Sequence, residues 1–339
     1  MLATQSAPSD PFQPHPIQPA YSSGIIEANA PAPKLNPDSP LVKQLLEDGF
    51  VVAKNVVSEE KAQKYVDGAH AWLEGFGMGY KRDEEETWRV GNLPKHGKGG
   101  LYSLYSIAHA QFVWDLKTEP AYIKLFEEIW GTDELLVSFD GAYLGVPLPK
   151  EEVEDENAPW PHTDQSPKRP EVFCIQSLMN LLPNNEKDGG LWVMKGSSKL
   201  FPELIKAFGL EDKCLGRDHF KYTDEHVDWL KAHGATIVHP NLGPGDVVFW
   251  DSRTCHWGAA PEQGRPRMAV YTCYKPANGI SPSQLALKQE AFKKGYVTSH
   301  DPITGIWKDK SDSADNKTFP FGKPVLSERG LKAAGMVPY

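Results

Sequence analysis

Nowhere does the chain carry a run of about 18 apolar residues, so no segment reads as a membrane-spanning helix. Its opening stretch, MLATQSAPSDPFQPHP, has no apolar core of the kind a secretion signal needs. The closing GMVPY is not a peroxisomal address. Basic charge is short as well. The 36 Lys and Arg face 45 Asp and Glu, a formal charge of −9, with no basic patch. Nucleic acid and anionic membrane are therefore poor partners. Cysteine is scarce. The four residues Cys174, Cys214, Cys255 and Cys273 show no C-x-x-C spacing and read as free buried thiols. A reduced, cytoplasmic setting is the expectation. No internal repeat is visible.

What remains is ordinary globular composition, 40% hydrophobic and 24% charged over 339 residues, ample for a large core. Acidic runs such as Asp83 to Glu86 and Glu151 to Glu156 read as solvated loops. Residues 1–38 are rich in Pro, Ser and Ala and read as an N-terminal arm, flexible or wrapped on the surface. Ser39 followed by Pro40 opens a helix that stops at Gly49. Ser58 caps a second, with apolar residues at Ala62, Tyr65, Val66, Ala69 and Leu73. A third is expected over about Pro120 to Trp130. From about residue 135 the pattern changes to short apolar runs such as LLVSF, AYLGV, DVVFW and RMAVYTCY, punctuated by Gly, Pro, Asn and Asp. Such runs predict antiparallel strands in a barrel or sandwich. The fold class is thus α+β, mainly β: a double-sheet core with helices packed on one face. We place the core at residues 39–276. Residues 277–339, with a helix capped by Ser281, form an extension on or over it.

Chemistry enters at APWPHTDQSPKRP, residues 158–170. The prolines favour extended backbone. There His162 and Asp164, two apart, share one face and can clamp an ion. A second H-x-D, His226 and Asp228 in YTDEHVDWLKAH, serves as an internal control. It lies in a helical pattern, where residues two apart do not face each other. A third ligand from a distant strand is His256, in GDVVFWDSRTCHWG. Arg267 follows eleven residues later (267 − 256) and opens a strand. By alternation it shares a face with Ala269, Tyr271 and Cys273, leaving Met268, Val270, Thr272 and Tyr274 on the other. A buried Arg needs an anion, either an Asp or Glu or a bound dicarboxylate. Two His and one carboxylate form the facial triad of non-haem Fe(II) oxygenases. Three positions stay open, enough for a 2-oxo acid and dioxygen. Zinc is the rival ion, but it more often takes three His, or two His with Glu.

Other residues carry weaker expectations. Gln165 either contacts substrate or iron-bound water or simply holds its loop. Tyr143 is a candidate substrate contact, as are Phe319 and Phe321, which could close the pocket from the C-terminal side. Gln176 and Asn180 are polar positions on an apolar strand, either satisfied buried amides or contacts to a polar ligand. Arg253 is expected to pair with Asp251, and Arg265 to be exposed. Trp192 and Trp257 read as packing, and Lys95, His96 and Lys98 as a basic loop.

Four segments, LLEDGFVVAKNVVSEE, PHTDQ, NNEKDGGLWVMKGSSK and GDVVFWDSRTCHWG with GRPRMAV, resemble the phytanoyl-CoA dioxygenase (PhyH) family of Fe(II)/2-oxoglutarate dioxygenases. The resemblance spans residues 41–276. It implies a double-stranded β-helix, the cupin-like jelly roll. It assigns His162, Asp164 and His256 to iron, Arg267 to the distal carboxylate of 2-oxoglutarate, and Gln176 to the cofactor's surroundings. One departure stands out: many members have Ser two residues after the distal His, where this chain has Gly258. The expected activity is oxidation of an unactivated C–H bond of a small molecule, with release of succinate and CO2. Hydroxylation, desaturation and oxidative cyclisation all fit. The long tails and the missing peroxisomal address favour a specialised metabolite over a fatty acyl-CoA, with the protein a monomer or homodimer. The alternatives are a metal-dependent jelly-roll hydrolase or isomerase, and a non-catalytic binding protein of the same fold.

Overall fold

A computed structural model describes residues 32–152, 159–211, 218–262, 264–304 and 316–339. Residues 1–31 of the expected arm, the 153–156 part of the acidic run, Cys214 and Trp307 lie outside these. The first half of the chain is mainly helical: α1 (Pro40–Asp48), β1 (Phe50–Ala53), α2 (Glu59–Glu74), β2 (Leu101–Tyr102), α3 (Gln111–Lys117) and α4 (Pro120–Trp130). Strands then dominate: β3 (Leu135–Val137), β4 (Ala142–Gly145), β5 (His162–Thr163), β6 (Ile175–Asn180) and β7 (Gly190–Lys195). After α5 (Ser197–Phe208) come β8 (Phe220–Lys221), α6 (Asp224–Ala232), β9 (Thr236–Val238), β10 (Val247–Asp251), β11 (His256–Ala259) and β12 (Arg267–Pro276). Helices α7 (Pro282–Lys294) and α8 (Glu328–Ala333) close the chain.

Local chemistry explains the helix ends. The Ser39 hydroxyl accepts from the Val42 N–H, and Pro40 sits in the first turn, where no intrahelical donor is needed. Ser58 and Ser281 cap α2 and α7 in the same way. Gly49 ends α1 at φ 84°, a conformation that disfavours any side chain. A Cβ there would also lie 2.8 Å from the Thr254 hydroxyl. That close approach lets the Gly49 carbonyl accept from Asp251 N (3.0 Å) and Thr254 Oγ1 (2.8 Å), pinning the loop that leads to His256.

The strands form two antiparallel sheets of a double-stranded β-helix. The larger runs β1-β10-β6-β12-β4-β2, with β3 also on β12. The smaller runs β8-β5-β11-β7-β9. Between them lie Leu178, Leu191, Val193, Val248, Trp250 and Ala269. One continuous apolar cluster joins the other face of the larger sheet to α1, α2, α3, α4, α7 and α8, through residues such as Leu45, Trp72, Trp114, Phe126, Ala291 and Ala333. A separate, smaller cluster seats α5 and α6 through Phe201, Leu204 and Leu230 on Met194, Cys255 and Trp257. Strand β12 shows the alternation read from sequence. Met268, Val270 and Tyr274 join the helical cluster, while Ala269 and Tyr271 join the intersheet one.

The C-terminal segment is bound into this core rather than hung on it. Buried Lys288 of α7 donates to the Val137 and Pro302 carbonyls, and Arg329 of α8 pairs with Glu127 at 2.8 Å. Cys174, Cys255 and Cys273 are free and buried. Among the described residues no helix is long and apolar enough to cross a membrane.

Candidate metal centre

Register brings the H-x-D and the distal His together. His162 on β5 pairs directly with His256 on β11. The strand turns after His162 because Thr163 Oγ1 (2.6 Å) and Asp164 N (3.1 Å) both donate to the Ser252 carbonyl. His162, Asp164 and His256 each offer one ligand atom, and the three atoms lie within 4.8 Å of one another. His162 Nε2 is 3.7 Å from Asp164 Oδ1, and His256 Nε2 is 3.5 Å from Oδ2.

The protonation states suit a cation. His256 Nδ1 lies 2.8 Å from the Thr254 carbonyl, and His162 Nδ1 lies 3.3 Å from the Trp160 carbonyl. A carbonyl can only accept, so Nδ1 carries the proton in both rings. Each Nε2 lone pair is left facing the cluster, the arrangement a histidine ligand requires. Burial, reinforced by His256, holds His162 well below the usual imidazole range, so it is neutral at pH 7. Burial alone would raise the Asp164 carboxyl. His162 beside it, and after it the His219 ring, outweigh that and hold it well below the usual range. Two histidines with their Nε2 atoms turned inward and one carboxylate are the donor set of a non-haem iron site.

Further groups fix these ligands. Gln176 Nε2 donates to Asp164 Oδ2 at 2.8 Å, and its Oε1 is buried without a partner. The amide thus grips the carboxylate and keeps an acceptor turned inward. On the other oxygen, His219 Nδ1 lies 3.4 Å from Asp164 Oδ1. The Trp160 ring stacks on His162, with centroids 4.3 Å apart and planes 8° apart. Trp160 Nε1 donates to the Gly258 carbonyl at 2.9 Å, and Lys98 Nζ lies 2.8 Å from the Trp160 ring centre. The basic loop around Lys98 therefore touches the site's rim. Sequence reading missed His219, Trp160, and the neighbouring Asp140 and His300. Trp160 alone left a signal, since it sits two residues before His162 in the same extended run.

Arg267 is buried, 5% exposed. Among the described residues no carboxylate lies within ion-pair distance of it, and its Nε has no hydrogen-bond partner. Its guanidinium rests 4.6 Å from the Tyr143 ring centre, beside the Tyr271 phenol. The backbone of Gly190 passes so close that a Cβ would lie 2.8 Å from Arg267 Nε. The competing arginines are engaged elsewhere. Arg253 pairs with Asp251, and half-exposed Arg265 pairs with Asp188, each at 2.6 Å.

Three of the expected substrate contacts need correction. Gln165 is fully buried and spent on the loop. Its amide donates to the Arg169 and Glu171 carbonyls, and its oxygen accepts from Ser252. Phe319 and Phe321 pack on the helical layer, against His109 and against Trp72 and Phe76. They line a cavity of about 700 Å³ between α2 and α3, not the metal centre. Tyr143 lies against the Arg267 guanidinium. Asn180 is a structural amide, donating to three carbonyls. His226 caps α6 by accepting from Thr223 N, away from the cluster.

An antiparallel jelly roll with two His and one carboxylate clustered between its sheets, and a buried Arg that lacks an acid among the described residues, defines a non-haem iron, 2-oxoglutarate-dependent oxygenase. The chain belongs to the phytanoyl-CoA dioxygenase (PhyH) family, whose model matches residues 45–269. It is 36% identical over 260 residues to Ava biosynthesis cluster protein O of Aspergillus versicolor, covering 75% of this chain and 83% of that protein. Among solved structures it is similar to the apo form of EctD from S. alaskensis. That TM-score is 0.50 at 13% identity, over 85% of this chain and 91% of that one. It is also similar to GlcNAc Inducible Gene 2 from Candida albicans, with a TM-score of 0.56 at 11% identity, over 87% and 75%. At these identities the structures speak for the fold alone. The protein is an oxidoreductase that uses Fe(II), 2-oxoglutarate and dioxygen.

Proposed function

We propose that this oxygenase oxidises an unactivated C–H bond of a small specialised metabolite, by hydroxylation, desaturation or oxidative cyclisation. His162, Asp164 and His256 hold the iron. When bound, the iron would activate dioxygen, the oxidant, which takes its electrons from the substrate C–H bond and from 2-oxoglutarate as it is converted to succinate and CO2. Trp160 and Thr254 set the two imidazoles through their carbonyls, and Gln176 fixes the Asp164 carboxylate. Arg267 receives the distal carboxylate of 2-oxoglutarate as a two-point fork. Where the family often has a Ser, Gly258 offers no hydroxyl, and the Tyr271 phenol beside Arg267 is the hydroxyl that replaces it. The observation that carries this reading is Arg267, a buried guanidinium with no anion beside it among the described residues. A hydrolase or a binding protein has no use for it. The relative from a biosynthesis cluster supports a specialised substrate. We place the enzyme in the cytoplasm as a monomer or homodimer, and its charge of −9 speaks against nucleic-acid partners.

The test is succinate release across a metabolite panel. EDTA should remove activity, Fe(II) should restore it and Zn(II) should not, because zinc has no redox change to offer. Full turnover on zinc would move the protein to the hydrolases.

A further inference from the structure

We propose that Asp140 is the substrate anchor of this site and that the substrate carries a cationic nitrogen, an ammonium or guanidinium group, which docks on its carboxylate. The inference rests on the oxygenase reading and adds the substrate's chemical class.

Asp140 lies between β3 and β4, in a segment tied down on both sides. Ser138 N donates to the Cys273 carbonyl at 2.8 Å, and Tyr271 N donates to the Gly141 carbonyl at 3.3 Å. Residue 140 is therefore held beside Tyr271, whose side chain enters the intersheet space that also holds the metal cluster. Thr298 bonds Phe139 twice, through Oγ1 at 2.7 Å and its own N–H at 2.9 Å, which draws His300 to the same end. Asp140 lies close enough to Asp164 and His300 to feel both charges, and the Tyr271 phenol feels both aspartates. Asp140, Asp164, Tyr271 and His300 are each partly exposed, and His219 more so. Polar groups that converge between two sheets and remain reachable form a cleft rather than a sealed core.

The Asp140 carboxylate is under-used. Its one hydrogen bond among the described residues comes from Gly141 N at 2.7 Å, onto Oδ1. No Lys, Arg or His of the described residues lies within ion-pair distance of it. Lys117 is near, but its ammonium is spent on the Ser138 and Asp140 backbone carbonyls at 3.2 and 3.1 Å. Burial pushes the Asp140 carboxyl above the usual range despite Lys117. A half-buried carboxylate with one oxygen open is best satisfied by a cation that meets it. Several other charges near the site have roles or partners of their own. Asp164 serves the metal, Arg267 the distal carboxylate, and Asp218 pairs with Arg169 at 2.6 Å. An N–H cation is the ligand that fills the remaining position with a charge-assisted bond.

The test uses benzylammonium and phenylguanidinium as probes, with benzyl alcohol and benzoate as neutral and anionic counterparts. Binding is measured by anaerobic calorimetry on protein loaded with Fe(II) and 2-oxoglutarate. Wild type should bind the two cations about tenfold or more tighter than benzyl alcohol, and benzoate most weakly. Asp140→Asn should erase that preference while the Fe(II) and 2-oxoglutarate titrations stay in place. Asp140→Ser is the second variant, judged in the same way. Equal binding of cation and alcohol by wild type would overturn the proposal. So would a preference that survives in both variants. Loss of 2-oxoglutarate binding in wild type would strike the oxygenase reading instead. The cation preference, read on the protein with Fe(II) alone, would still decide the role of Asp140.

Discussion

Replacing His162, Asp164 or His256 by Ala abolishes turnover and strips the iron, whereas His226→Ala keeps both. The contrast is sharp because the chain contains the same tripeptide pattern twice. At 162–164 it sits on a strand end, where both side chains turn to His256, and each imidazole is held by a backbone carbonyl. At 226–228 it sits in α6, where His226 bonds the Thr223 N–H at 3.1 Å and packs edge-on against Phe208. Losing that cap costs about 1 kcal/mol of stability and no metal. Metal analysis on purified variants, with activity alongside, checks the prediction. Iron lost from His226→Ala but kept by His162→Ala would reverse the assignment.

Arg267→Ala should raise the apparent KM for 2-oxoglutarate at least tenfold and leave iron content unchanged. A charge-assisted hydrogen bond contributes roughly 1.5 to 3 kcal/mol. At about 1.4 kcal/mol per tenfold, that is about 10- to 150-fold in affinity. Arg267→Lys keeps the charge but loses the planar fork, so it should fall between Ala and wild type. Arg265→Ala is the nearby control. Its partner is Asp188 on the rim, its side chain is 49% exposed, and 2-oxoglutarate kinetics should barely move. Steady-state kinetics in 2-oxoglutarate settle the matter. Normal 2-oxoglutarate binding by Arg267→Ala, with a defect in Arg265→Ala or Arg253→Ala, would relocate the cofactor site.

These expectations were legible because they depend on local rules. Ser39, Ser58 and Ser281 cap helices through bonds made within a few residues, and Gly49 and Gly295 stop them through their own backbone freedom. The face of Arg267 follows from strand alternation alone. The spacing of His162 and Asp164 had meaning because prolines hold that stretch extended. Where sequence reading failed, the deciding contact was distant. Gln165 stood open between a substrate contact and a loop brace, and only the distant Ser252, with two carbonyls of its own loop, decides for the brace. Phe319 and Phe321 were apolar residues without a periodic pattern, and nothing local said which surface they would cover. His219 reaches Asp164 from a strand that pairs with β5, a register no nearby residue announces. Asp140 drew no sequence reading, because its place beside Tyr271 depends on the distant Tyr271–Gly141 backbone bond.

The central claim is that one ion sits on His162, Asp164 and His256 while Arg267 holds a 2-oxo diacid beside it. The direct measurement is the visible spectrum of the protein after anaerobic addition of Fe(II) and 2-oxoglutarate. Wild type should develop the weak charge-transfer band of a chelated 2-oxo acid, His162→Ala should not, and Arg267→Ala should need at least tenfold more 2-oxoglutarate to reach it. A wild-type protein that binds Fe(II) yet gives no band at saturating 2-oxoglutarate would contradict the account.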